Sequence, residues 1–250
     1  MTVKHSSIIQ YIAISIVITA STIVKAQETK SNFNITVDLV SSYIWRGTIQ
    51  EYSRGGSPNI QPTVTYTTGA LSFGAWGSYA FSGNVKEVDF NATLALPHAF
   101  SITLTDDNWN NSNNNAEVSN GYANYFNYKN KGTGHILEGT VAYGGSKKFP
   151  LNFSWNTMFY GADKNANGKN AYSTYVELGY PIARNVSSFI GASLFDSPAI
   201  YSNKGFAVIN LGLKVSKEIK LSDSFSFPLY GIVGVNPQAE KAFFVAGITL

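Results

Sequence analysis

The sequence predicts an all-β chain that closes into one antiparallel transmembrane β-barrel of about twelve strands. Three observations carry that expectation. Apolar and polar residues alternate with a period of two from residue 33 to the last residue, as in strands with unlike faces. After the first thirty residues, no stretch stays apolar for the roughly 20 residues that a spanning helix needs. The connectors alternate between short turns and longer polar loops, the habit of outer-membrane barrels with turns toward the periplasm. Composition agrees: 44% hydrophobic with only 13% charged residues is neither a disordered chain nor an ordinary charged soluble domain.

Twelve segments show the alternation, at approximately 33–46, 58–68, 70–80, 86–96, 99–109, 134–144, 150–160, 171–181, 186–196, 205–217, 225–236 and 240–250. Most have the roughly 9–11 residues of a tilted spanning strand. In the first, Phe33, Ile35, Val37, Leu39, Tyr43 and Trp45 share one face, and Asn34, Thr36, Asp38, Ser42 and Arg46 the other. The last places Ala242, Phe244, Ala246, Ile248 and Leu250 on one face and ends in leucine, where barrels usually end in an aromatic residue. Short connectors fall at 67–69, 96–98, 145–148, 181–185 and 217–224; longer ones at 47–57, 81–85, 110–134, 161–170 and 196–204, with a brief 236–240 on the same side. An even strand count puts both termini at the short-turn end. The tract 110–134, rich in Asn and carrying Tyr122, Tyr125, Phe126 and Tyr128, reads as one long external loop. A further strand inside it would reverse the sidedness of everything downstream. Period two has a physical cause here, because in lipid only a closed barrel leaves no strand edge unsatisfied.

The N-terminus differs in character. Lys4 and His5 precede an apolar run from Ile8 to Val24, and Val24-Lys25-Ala26 follows. That is the pattern of a secretory signal peptide, residues 1–26, cut after Ala26 to leave a barrel of residues 27–250. Its removal takes two lysines and no acid, leaving sixteen basic and fifteen acidic side chains, a net of +1. No basic stripe suggests nucleic acid as a partner. With no cysteine, the chain holds no disulfide and no thiolate metal site. The expected partners are outer-membrane lipid, the barrel-assembly machinery that inserts such chains, and small polar solutes.

Aromatic residues gather at strand ends: Tyr43, Trp45, Tyr66, Tyr79, Trp109, Tyr143, Tyr172 and Tyr180. Tyr and Trp favour the lipid headgroup level, so these eight are expected to form the two aromatic girdles of a barrel. Arg46, one residue out of phase with Trp45, is expected in the lumen near the outer mouth, with Gly47 allowing the turn into the first loop.

The run DLVSSYIWRGTIQEYSRGGSPNIQPTVTY, then LSFGAWGSYA and EVDFNATLAL, resembles the N-terminal half of the TorF-like family of outer-membrane porins. The matching positions are Tyr43, Trp45, Arg46 and Gly47, then Pro58 and Gln61, Gly74 and Trp76, and Glu87 and Asp89. The likeness covers residues 33–96 and is looser beyond. It implies a twelve-stranded barrel in a Gram-negative outer membrane and brings no defined activity with it.

By phase, the lumen-lining charges are Asp38, Arg46, Glu87, Asp89, Glu138, Glu177 and Lys214. Five acids against two bases suggest a cation-favouring interior if a continuous pore exists. The competing expectation is that these charges pair across the lumen, Arg46 with Asp38 or Glu87, and brace the barrel. Inward Trp76, Tyr175 and Phe189 would narrow a lumen already smaller than that of a sixteen-stranded porin. Enzymatic chemistry has little to stand on. Lipid hydrolysis by a Ser-His-Asn arrangement needs a His beside a Ser, and only His98 and His135 remain after processing. His98 falls in a short turn, and His135 falls in lipid-facing phase with no Ser-His pairing in view. Asp106 and Asp107 supply no recognisable calcium-loop spacing. The sequence therefore gives no catalytic residue, no metal site and no cofactor. The expectation is an outer-membrane, porin-like channel for small polar or cationic solutes. The alternative is a non-conducting barrel that binds partners through its 110–134 loop.

Overall fold

In the computed structural model, residues 32–51, 56–83, 86–108, 125–129 and 132–250 are described. The expected signal peptide, Trp109 and most of the 110–134 tract lie outside them. The strands are β1 (Phe33–Val40), β2 (Ile44–Trp45), β3 (Thr48–Ile49), β4 (Asn59–Thr68), β5 (Leu71–Ala80), β6 (Lys86–Ala95), β7 (Phe100–Asn108), β8 (His135–Tyr143), β9 (Asn152–Gly161), β10 (Thr174–Ala183), β11 (Val186–Ser193), β12 (Ala207–Lys220), β13 (Ser226–Asn236) and β14 (Lys241–Thr249). Twelve of them form one closed antiparallel barrel: β1 pairs with β4, each later strand pairs with the next, and β14 returns to β1. Closure sets Asp38 opposite Thr249, Leu39 opposite Ile248 and Val40 opposite Gly247. It is completed by reciprocal backbone hydrogen bonds between Val37 and Leu250, of 3.0 and 2.9 Å. The terminal Leu250 is thus part of the seam.

The period-two pattern becomes an inside-out barrel. Ile35, Phe73, Phe90, Ile102, Leu104, Val141, Leu178, Ile190 and Phe244 are exposed on the outer wall, whereas Thr36, Gln61, Thr103, Thr105, Thr140, Ser154, Asn156 and Thr249 are buried inside. Along β7 the burial alternates residue by residue, with Ser101, Thr103 and Thr105 inward and Phe100, Ile102 and Leu104 outward. A water-soluble barrel would distribute these residues the other way round. The connectors at one end are short: 69–70, 96–99, 144–151, 184–185 and 221–225. Those at the other end are mostly longer: 41–58, 81–85, 109–134, 162–173, 194–206 and 237–240. Among the described residues, no helix is long and apolar enough to cross a membrane.

One expected strand is corrected. The segment 33–46 does not continue to Arg46, because β1 ends at Val40 and the chain turns inward at Ser41 and Ser42. Residues 44–49 form a separate two-stranded ribbon, with Ile44 opposite Ile49 and Trp45 opposite Thr48. No barrel strand pairs with it. This ribbon lies inside the lumen, enclosed by the barrel wall, and positions the site.

Candidate functional site in the barrel lumen

The ribbon is a hairpin with a two-residue turn, Arg46-Gly47, in which both residues have positive φ, +49° and +76°. Two positive φ values in succession are the geometry whose twist suits a tight hairpin, and Asn-Gly is the sequence that adopts it most readily. Glycine meets the requirement at position 47, where an added Cβ would run into the carbonyl of Ile209 on β12. Arginine at position 46 is a poor conformational choice for a left-handed site. What it supplies is its side chain.

The Arg46 guanidinium reaches β8 as a fork. Nη1 donates to Glu138 Oε2 at 2.6 Å and Nη2 to Glu138 Oε1 at 2.7 Å, while Nη1 also donates to the Tyr201 hydroxyl at 2.7 Å. The guanidinium carbon lies 4.5 Å from the Trp45 ring centre and 4.8 Å from that of Tyr175. Both partners of the ion pair are out of water, with side-chain exposures of 5% and 3%. Two parallel charge-assisted bonds plus aromatic faces meet the costs of burying an arginine, which a lysine could not satisfy in the same way.

The wall side of this cage is held independently of the hairpin. The Tyr201 backbone N–H donates to Ser197 Oγ at 3.2 Å, Ser197 and Ser173 share a hydroxyl bond of 2.6 Å, and Ser173 Oγ donates to Asp163 at 2.7 Å. The connectors 162–173 and 194–206 are thereby tied together at the mouth. Burial pushes the Tyr201 phenol above its usual value, so the hydroxyl stays neutral and accepts the arginine N–H. Tyr175 donates to Glu177, and Asn210 Nδ2 donates to the Tyr175 hydroxyl and to Glu177 at 3.1 and 3.0 Å. The Tyr175 ring lies against Gly191, where a Cβ would overlap its hydroxyl.

At its base the hairpin meets the other side of the barrel. Tyr43 packs on Trp76, with ring centres 5.5 Å apart, touches Ala80, and hydrogen-bonds Glu87. Trp45 stacks on Tyr201 at 5.7 Å. The Gly47 carbonyl accepts from Asn236 Nδ2 on β13 at 3.2 Å. From base to tip, the ribbon therefore bridges the lumen between β5–β6 and β8, β10, β12 and β13.

Each of the seven lumen charges expected from phase has its side chain inside the barrel, and they form four groups. Arg46 meets Glu138, so neither Asp38 nor Glu87 is its ion-pair partner. Glu87 and Asp89 follow each other on one face of β6, where Asp89 accepts the Asn108 backbone N–H at 3.0 Å. Glu177 belongs to the Tyr175 network. Asp38 accepts from Thr249 at the seam, and Lys214 sits 4.2 Å from the centre of the Tyr230 ring. The phase assignment missed Asp107, which follows Thr103 and Thr105 on the inner face of β7 and is neighboured electrostatically by Asp89 and Glu138. It also missed Tyr201, in a connector with no period to read.

Two of the eight expected girdle residues are corrected. Tyr43 and Trp45 face the lumen, because the strand carrying them leaves the wall at Ser41 and both faces of a ribbon inside a barrel are covered. Tyr79, Tyr172 and Tyr180 are exposed, and Tyr66 and Tyr143 are half-buried, each pairing with a neighbouring ring, Phe33 and Phe100, at 4.9 and 5.0 Å. Trp76, Tyr175 and Phe189 point inward as expected, Phe189 packing over Gly212.

His135 keeps its outward phase but is buried. Residues 125–129 fold over it: Tyr128 stacks on the imidazole at 4.0 Å and donates to Asp106 at 2.7 Å. Nδ1 lies 2.7 Å from Asp106 Oδ1, and Nε2 meets the Tyr125 carbonyl and, at 3.1 Å, Asn108 Nδ2. Both ring nitrogens are thus engaged, with no serine hydroxyl on either among the described residues. Asp106 and Asp107 are successive strand residues and face opposite sides of the wall, so they do not converge on one ion. Among the described residues no group of three acidic, histidine or cysteine side chains could hold a metal.

A closed twelve-stranded barrel with an apolar outside and a polar inside fits an outer-membrane barrel. No model of a known protein family matches the chain, and no curated protein matches it.

Proposed function

We propose that this protein is an outer-membrane channel for small polar or cationic solutes, constricted by the 44–49 hairpin. The inside-out distribution of side chains carries the reading: the apolar wall suits lipid, and the closed interior presents hydroxyls, amides and carboxylates. The field inside favours cations. Arg46 is matched by Glu138, and Glu87, Asp89 and Asp107 add three further carboxyl groups on the inner faces of the adjoining β6 and β7. Export by a signal peptide ending at Ala26, insertion by the barrel-assembly machinery and membership of the TorF-like family belong to the same proposal. What supports them is the sequence pattern of residues 1–26 and 33–96.

Single-channel recording in a planar bilayer under a salt gradient tests the reading. The expected record is small, steady steps with a reversal potential on the cation side, moved toward zero by Glu87→Gln with Asp89→Asn. A preference for anions, or cation preference untouched by those substitutions, overturns it. The bridge made by the hairpin favours a second reading, a non-conducting barrel acting at the surface through its 110–134 loop. Correctly folded protein that stays silent in both the parent and an Arg46→Gly form supports that reading instead.

A further inference from the structure

We infer that the cage around the Arg46 side chain is a binding site for guanidinium-type cations, filled in the resting barrel by the protein's own arginine. The inference deepens the channel reading by naming the solute class, and its biological use rests on that reading. The binding itself does not.

The cage is built for one shape. Glu138 offers two carboxylate oxygens to two nitrogens in a plane, the Tyr201 hydroxyl accepts a third N–H, and the Tyr175 ring covers one face. A fork of parallel N–H···O bonds beneath an aromatic face selects a planar guanidinium over a spherical ammonium. All three groups come from the wall or its connectors. Tyr201 is fixed by Ser197, Ser173 and Asp163, Tyr175 by Glu177 and Asn210, and Glu138 by its place in β8. Each of the three groups is therefore anchored in the wall or its connectors, and the hairpin adds Trp45, stacked on Tyr201.

The occupant, by contrast, is held to the wall by side chains and not by a backbone ladder. The ribbon pairs only with itself, two residues against two, and shares no ladder with any barrel strand. Its arginine sits at a φ of +49°, which favours glycine. An element bearing a strained arginine, laid into a preformed guanidinium cage, has the makings of an intramolecular competitor. A solute carrying the same group can take its place and release the hairpin from the lumen, so that the permeant opens its own path. Free guanidino compounds and exposed peptide arginines share this chemistry.

The test needs no current. Protein purified in detergent from the expressing membranes is compared as the parent, Arg46→Gly, and Arg46→Gly with Glu138→Gln. Glycine at position 46 suits the turn and empties the cage. Guanidinium chloride at ~10 mM, far below denaturing concentrations, is expected to raise the Tm of Arg46→Gly by about 2–4 °C over equimolar sodium or ammonium chloride. At this concentration neither the parent, whose tethered arginine outcompetes the free ion, nor the double variant should show such an excess. If Arg46→Gly does not accumulate folded, Arg46→Lys takes its place, since it keeps a charge but loses the fork. Guanidinium must then stabilise it more than sodium does. An equal response to all three salts, or a guanidinium response that survives Glu138→Gln, overturns the inference. Silence in the bilayer together with a guanidinium-specific Tm shift would remove the channel and leave the site. Cation currents without such a shift would do the reverse.

Discussion

Replacing Glu138 by alanine is expected to cost the barrel about 3–5 kcal/mol, because it strands a buried, permanently charged guanidinium. Arg46 has its other hydrogen bond to the neutral Tyr201 hydroxyl and its other close neighbours in the Trp45 and Tyr175 rings. None of these carries a compensating charge. Its electrostatic neighbour Asp107 shares the inner face but does not supply the fork. The measurement is urea unfolding in lipid or detergent, with tryptophan fluorescence reporting on Trp45 in the hairpin as well as on Trp76 in the wall. The double replacement Arg46→Met with Glu138→Leu should cost much less than the sum of the single changes, because it removes both desolvated charges together. A loss below ~1 kcal/mol for Glu138→Ala would mean that the pair is solvated and contributes like a surface ion pair.

The wall of the barrel was readable because its physics is local. A side chain on β7 faces lipid or lumen by parity alone, so Leu104 and Thr105 could be assigned without knowledge of any partner strand. The same parity places Asp107 on the inner face, two residues beyond Thr105. The hairpin hides behind the same parity: Tyr43 and Trp45 keep the phase of Phe33 to Leu39, and a ribbon inside the lumen alternates just as a strand in the wall does. Period two cannot tell an aromatic in a headgroup layer from one that fills a lumen. A discriminating signal is present in the two serines at 41–42 and in Arg46-Gly47 placed between the short pairs Ile44-Trp45 and Thr48-Ile49, the layout of a tight turn. The partner of Arg46 was out of reach. Glu138 is 92 residues away in sequence, and only closure of the barrel brings β8 across from the hairpin. Tyr201 lies still further off, 155 residues away, in a connector whose fold depends on Asp163 and Ser173 in another connector. Likewise, His135 had the right phase and the wrong surroundings, since its cover comes from residues 125–129, which carry no periodic pattern.

Leu104→Arg is expected to destabilise the protein in bilayers by about 2–4 kcal/mol, whereas Leu221→Arg should change stability by no more than about 1 kcal/mol. Leu104 stands near the middle of β7, opposite Ala92 on one side and Gly139 on the other, and is 49% exposed. Leu221 is 66% exposed, in the turn after β12 at the short-turn end. Exposure by itself ranks the two the wrong way for a membrane and would make both substitutions harmless in water, where arginine on an exposed surface is well hydrated. Only a hydrocarbon layer around the waist of the barrel makes the less exposed site the costly one, because there the guanidinium must snorkel past several turns of apolar wall or draw water into lipid. The flanking Ala92 and Gly139 offer no polar group to shorten that path. Unfolding free energies measured in liposomes for the two single variants and the parent decide the matter. A cost at position 104 that exceeds the cost at 221 by at least tenfold in the unfolding equilibrium places the strand midpoint in lipid. Equal costs would mean that the apolar wall is covered by something other than a bilayer, and the channel reading would fall with it.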